Sequence, residues 1–434
     1  MSDELVGLAG FAVALTLIAL GVPVAVALGL VGVVGFWVVN GSVGAGFVLG
    51  SAPFEALFPY TLSVIPLFLM MGVFATHCGL SRDLYRAANV VVGRMRGGLA
   101  VATVVACAGF GAICGSSLAT VATIGRVSMP EMRKAGYDDR LSAASIAAGG
   151  TLGVLIPPSI LLVVYGLLTE QSIGSLFLAA LVPGLLATLL YALSVILQVR
   201  LNPGLAGALP PPRQGREKLR DLAASWPALM IFAVVIGGIQ IGLFSPTEAA
   251  AIGALGAGLV AFARGAMSRR VLWDSAVETV SLTGMVFFIT VGATLFNYFI
   301  ETTGLPQFLI ELIGVSGLSA FQVLVIVIVF YLILGCFMDS MAMIFLTVPF
   351  VFPVINALGF DPIWFGVLVV SVAEVGLITP PIGMNLFVLQ GVVPGLGAQT
   401  MVRGVVPFLL ADLVRIGLLV AFPALALWLP GLGN

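Results

Sequence analysis

The sequence predicts an all-α polytopic membrane protein of two inverted repeats, each with a re-entrant helical hairpin and a broken transmembrane helix. Three observations predict it: a composition suited to lipid, basic residues gathered in a few places, and two broken apolar segments at one fixed separation.

Composition sets the class. Of 434 residues, 60% are hydrophobic and 9% charged, with a mean hydropathy of +1.20, whereas soluble domains carry about 25% charged residues. Apolar runs such as 5–39, 176–199 and 321–334 recur along the chain, and each crossing of a ~30 Å hydrocarbon core takes about 20 apolar residues. Continuous rather than alternating runs select helices over a barrel. A net charge of −1, with no basic stripe interleaved with aromatics, sets nucleic acid aside. Cys78, Cys107, Cys114 and Cys336 have no metal-ligand spacing and read as small core residues. With one histidine and no HExxH, GxSxG or GxxxxGK[ST] pattern, neither hydrolysis nor ATP-driven transport is expected, and no cofactor or catalytic residue.

Residues 1–53 read as one or two N-terminal scaffold segments, divided if at all around Gly21 and Pro23. The first lacks a basic leader region and a small-residue cleavage site, so it is expected to remain as an anchor. Basic groups at Arg82, Arg86, Arg94 and Arg96, at Arg126, Arg133, Lys134 and Arg140, in the 200–220 loop, and at Arg264, Arg269 and Arg270 should all be cytoplasmic. Residues 97–133 begin and end beside such groups, so within a first repeat over 54–199 they form a re-entrant hairpin with its tip near Gly115, Ser116 and Ser117.

After that hairpin, the stretch GTLGVLIPPSILLVV places Pro157 and Pro158 inside an apolar segment, 139–168. Interior prolines remove a backbone donor and break the helix. The pattern returns as EVGLITPPIGMNLFV within 363–392 (376 − 153 = 380 − 157 = 223). The same offset carries Ser117 to Ser340, Pro130 to Pro353, Gly136 to Gly359 and Asp138 to Asp361. A second repeat, 277–393, therefore holds a hairpin over 321–355 with Asp339 and Ser340 at its tip. It has no basic residue at either end, which inverts it relative to the first. Inverted repeats with discontinuous helices mark secondary transporters with a midplane site. A cytoplasmic linker, 200–224, carries three prolines at 210–212; two connecting helices fill 225–276, the second starting at Pro246; a C-terminal helix fills 394–434.

A broken helix leaves carbonyls unpaired on one half and amides on the other, suiting a dehydrated cation and an anion respectively. Ser116, Ser117, Thr120, Thr151 and Ser159 lie beside the first break, and Ser340, Thr379 and Asn385 beside the second. Oxygen-only ligands fit sodium better than a transition metal; taken singly, each small residue also fits close helix packing. Glu374 adjoins the second break, where a membrane acid is functional by default. Asp339 reads as a helix cap before a cation ligand or proton carrier, Glu248 as a first-turn carboxylate, Arg126 as a topology charge before an attractor of an anionic substrate, and His77 as a helix-end polar residue before a metal ligand. No arginine within these motifs stands out as a carboxylate clamp.

Three stretches now carry a family resemblance: CGSSLATVATIGRVSMPEMRKAGYDDRLSAASIAAGGTLGVLIPPSI, FSPTEAAAIGAL and DPIWFGVLVVSVAEVGLITPPIGMNLFVLQGV. With LGVPVAVALGL near the N-terminus, they resemble the large membrane subunit of tripartite ATP-independent periplasmic (TRAP) transporters, in family order along nearly the whole chain. The resemblance implies an elevator-type transporter of the ion transporter superfamily in the bacterial inner membrane, importing a small organic acid with sodium ions as coupling ions. It implies three partners besides membrane lipid: a periplasmic substrate-binding protein, a separate small four-helix membrane subunit, and the organic acid. Sodium sites carry over onto Gly115, Ser116, Ser117, Gly153, Pro157 and Pro158, and onto Asp339, Ser340, Gly376, Thr379, Pro380 and Pro381. Substrate is implied between the tips, beside Ser117, Thr120, Pro158, Ser340, Pro381 and Asn385. A stand-alone sodium/dicarboxylate symporter, a membrane enzyme and a channel stay open as alternatives, and substrate identity stays open too.

Overall fold

The computed structural model describes residues 2–208 and 215–432; the three prolines at 210–212 lie outside the described residues. The first apolar stretch forms two helices, α1 (Asp3–Ala19) and α2 (Val24–Leu57), parted at Gly21, whose φ of 87° glycine adopts without a Cβ penalty. α2 runs past residue 53 and kinks at Gly41. Next come α3 (Val64–His77) and α4 (Leu80–Val92), then the first hairpin, α5 (Gly98–Cys114) and α6 (Ser117–Lys134). The first broken helix comprises α7 (Asp139–Leu155) and α8 (Ile160–Thr169), followed by α9 (Ile173–Leu201).

Part of the linker is itself helical, as α10 (Gly215–Ala224). α11 (Trp226–Gln240) and α12 (Pro246–Ala263) connect the repeats, and α13 (Arg269–Thr302) crosses the boundary placed at residue 277. After α14 (Leu305–Ser316) come the second hairpin, α15 (Ala320–Gly335) and α16 (Ser340–Ala357), and the second broken helix, α17 (Pro362–Ile378) and α18 (Met384–Val392). The C-terminal segment is two helices, α19 (Ala398–Ala421) and α20 (Ala424–Gly431). Among the described residues, nine helical segments are long and apolar enough to cross a bilayer.

The repeat holds at the level of helix ends. α16 begins and ends 223 residues after α6, and α17 does the same after α7. Local capping explains the match: a short side-chain acceptor before an apolar run takes an amide that the helix leaves free. Ser116 Oγ accepts from Ala119 N at 3.4 Å, and its equivalent Asp339 accepts from Met341 N at 3.0 Å and Ala342 N at 3.4 Å. Asp138 and Asp361 cap α7 and α17, accepting from Arg140 N at 2.7 Å and Trp364 N at 2.9 Å. The Pro157–Pro158 and Pro380–Pro381 peptides are both cis.

Packing puts α7 and α17 at the centre: α7 is buried from Leu141 to Leu155 and α17 from Trp364 to Ile378. Around them, α2 lies along α13 and α3 along α12. Small residues permit that approach, since a Cβ on Gly32 would meet the Leu295 backbone at 2.5 Å. The hairpins are covered unequally. α5 is buried over almost its whole length, whereas Phe321, Ile326 and Ile333 leave the outer limb of the second hairpin exposed.

Candidate functional site at the paired helix breaks

The first hairpin tip closes directly on the first break. α5 ends because Gly115 turns left-handed, with φ of 63°. A Cβ there would lie 2.7 Å from the Pro158 carbonyl oxygen, so only glycine lets the tip touch the break. Gly153 is as constrained: its Cβ would lie 2.6 Å from Thr120 Oγ1 and 3.0 Å from the Ser116 carbonyl. Thr120 Oγ1 donates to Ser116 O at 2.7 Å, and Ser159 caps α8 by accepting from Leu162 N at 3.3 Å. Gly115, Ser116, Thr120, Gly153 and Pro158 therefore converge, with Pro157 buried beside them.

The second junction repeats this plan with different chemistry. Ser340 Oγ donates to Ala373 O at 3.2 Å, joining the tip to α17. Gly376 packs on Gly335, where a Cβ would lie 2.5 Å from the Gly335 carbonyl carbon. Thr379 Oγ1 donates back to Val375 O at 2.5 Å. One Asp339 oxygen, Oδ2, takes both amides of its cap. Residues 156–159 are all buried, while Pro381 is exposed and Pro380 half-buried.

One side chain crosses between repeats. Ser117 Oγ donates to Asn385 Oδ1 at 2.9 Å, and Asn385 Nδ2 donates to Ala147 O at 2.9 Å. Asn385 in α18 thus binds both α6 and α7 of the other repeat, fully buried. Of the implied substrate residues, Ser117 and Asn385 come together, while Thr120 bonds at the first junction, to Ser116 O. Ser340 and Thr379 hydrogen-bond within their own repeat. Around each break the chemistry is hydroxyl, amide and peptide oxygen, with the carbonyl end of one half-helix facing the amide end of the next.

A charged cluster lies outside all the motifs. Arg415 in α19 is fully buried; its Nη2 donates to Ser371 O at 3.1 Å and lies 3.0 Å from Asp412 Oδ1, while Nη1 lies 3.6 Å from Glu374 Oε2. Tyr191 OH lies 2.8 Å from both Asp412 oxygens and 3.1 Å from Thr151 Oγ1. Both Glu374 oxygens and Arg415 Nε have no hydrogen-bond partner among the described residues. Arg415 lies outside the motifs, beside the second broken helix. The available signal was Asp412 and Arg415 three residues apart inside an apolar run.

Other residues take the plainer roles. Glu248 completes a capping box with Ser245, and His77 ends α3 at 3.8 Å from Glu278. The four cysteines are free.

Two hairpins meeting two broken helices in an all-helical multi-pass membrane protein define a transporter fold. Residues 11–425 match the family described as tripartite ATP-independent periplasmic transporter, DctM component. The chain belongs to that family, as its large membrane permease subunit. It is 39% identical over 383 residues to the C4-dicarboxylate TRAP transporter large permease protein DctM of Pseudomonas aeruginosa, covering 87% of this chain and 88% of that one. It is 36% identical over 376 residues to the isethionate TRAP transporter permease protein DctMQ of Oleidesulfovibrio alaskensis, covering 86% of this chain and 58% of the relative. The Alcanivorax borkumensis YdaH transporter structure superposes with a TM-score of 0.60 at 16% identity, over 89% of this chain and 90% of that one. That last likeness speaks for the fold alone.

Proposed function

We propose that this permease imports a small organic acid anion across the bacterial inner membrane, driven by sodium. In this reading a periplasmic binding protein delivers the anion, and a small four-helix subunit completes the membrane complex. The two hairpins and broken helices move as one block against α2, α3, α12 and α13. The P. aeruginosa relative's C4-dicarboxylate supports the anion class.

The observation that carries the reading is the bond from Ser117 Oγ to Asn385 Oδ1, buried where both repeats meet. It makes the oxygen-rich ends of the two halves one shared locus, as a site loaded by ion and substrate together requires. Sodium would sit among peptide and hydroxyl oxygens at each tip and break, and the organic anion beside Ser117 and Asn385.

The test is reconstitution with the small subunit and candidate binding proteins, comparing uptake with and without an inward sodium gradient. Uptake that needs both the gradient and the binding protein is the expected result. Uptake indifferent to the gradient would end the sodium reading, and uptake by this chain alone would make it a stand-alone symporter.

A further inference from the structure

Between α4 and the lower half of α6 lies a cavity of about 380 Å³. Arg82, Arg86 and Asn89 of α4 line it, with Tyr85 and, from α6, Arg126 and Glu131. Arg82 and Arg86 stand one turn apart and so share a helix face, and Arg126 approaches from the opposite helix. Three arginines and one acid, Glu131, thus line the same space, and the Glu131 carboxylate lies 3.7 Å from Lys134 Nζ. Asp83, the acid of α4, is engaged elsewhere, paired with Arg264.

Some arginines of this chain are matched. Arg133 grips Asp139 through two bonds of 2.9 and 2.8 Å, and Arg415 has Asp412. Arg82, Arg86 and Arg126 make no ion pair or hydrogen bond among the described residues. Three planar forks converging on a concave space suit an oxyanion with several acceptor oxygens. The cavity also lies at the end of α6 that carries Arg133 and Lys134, a basic and therefore cytoplasmic margin. Basic pockets between membrane helices on that side hold lipid headgroups.

We infer that this cavity binds a phosphate-type oxyanion, carried by an anionic lipid or free in the cytoplasm. Because the ligand would touch α4 and α6 together, it fastens α6, the second limb of the first hairpin, to the helix that precedes the hairpin. Its occupancy opposes any displacement of that hairpin relative to α4.

The experiment uses the full chain with its small subunit in nanodiscs, as wild type and as R82Q/R86Q/R126Q. Probes are phosphatidylglycerol titrated into phosphatidylcholine discs, and inorganic phosphate added to phosphatidylcholine discs. Retained ligand is read by native mass spectrometry and binding by the rise in unfolding temperature. About fivefold weaker binding per arginine removed, or about a hundredfold for the triple variant, is expected. An effect of phosphatidylglycerol alone identifies a lipid site, and an equal effect of phosphate identifies a soluble oxyanion. Wild type and triple variant responding alike to both probes overturns the inference. Should the triple variant not fold, R126Q alone decides: a fivefold loss upholds the site and no loss removes it.

Discussion

Thr151 and Glu374 occupy equivalent positions in the two repeats, 223 residues apart, and both reach the same buried chain of Tyr191, Asp412 and Arg415. Each lies two residues before its break glycine, Gly153 or Gly376. The pseudo-symmetric halves are thus joined near both breaks by side chains from α9 and α19, which belong to neither hairpin.

Removing the cation from that chain leaves two buried carboxylates without a counter-charge. Arg415→Ala is expected to destabilise the protein by about 3–5 kcal/mol, the cost of breaking a buried pair from one side. Chemical unfolding in detergent measures it. Wild-type stability would mean the acids are neutralised some other way.

The inter-repeat bond makes a second prediction. Ser117→Ala leaves Asn385 Oδ1 without its donor, and the loss of about 1 kcal/mol raises the sodium concentration for half-maximal uptake about fivefold. Ser340→Ala, which frees Ala373 O, acts in the same direction. Both variants should reach the membrane at normal levels. Unchanged sodium activation in both would remove the ion sites from the tips.

Asp339 separates capping from ligation. Asparagine caps a helix about as well as aspartate, whereas alanine costs about 1 kcal/mol. Asp339→Asn should therefore keep both stability and sodium dependence, and Asp339→Ala should lose stability. Sodium activation lost in Asp339→Asn would instead make the carboxylate an ion ligand.

Close backbone contact at the second break gives a steric prediction. Gly376→Ala drives a methyl into the Gly335 backbone, which cannot step aside as a side chain can, and overpacking of this kind costs about 1–3 kcal/mol. Gly391→Ala, with nothing within 4 Å of the added atom, is the matched control and should be silent. Equal melting temperatures for the two variants would contradict the packing at the break.

Much of this was legible because it is local. A proline pair interrupts its own helix, and an Asp before an apolar run caps its own helix, so the two breaks and the Asp339 cap could be placed without any partner, while the caps at Ser116, Asp138 and Asp361 came from the structure. The N-terminal stretch was harder, since apolar length permits either one tilted helix or two; Gly21 decides it only through the backbone it adopts. Arg415 went unread because it lies beyond the motifs, although a charge pair inside an apolar run was available as a sign.

Sequence by itself determined the class, the repeat and its offset, the hairpin tips and the two breaks, because each rests on composition or on contacts within a few residues. Tertiary structure alone decided that Asn385 binds Ser117, 268 residues away, that Glu374 shares one guanidinium with Asp412, and that the first break is sealed while Pro381 stays exposed. Those outcomes depend on which helix faces present polar atoms to one another, and in a chain where most faces are apolar, hydropathy cannot distinguish a neighbouring helix from lipid.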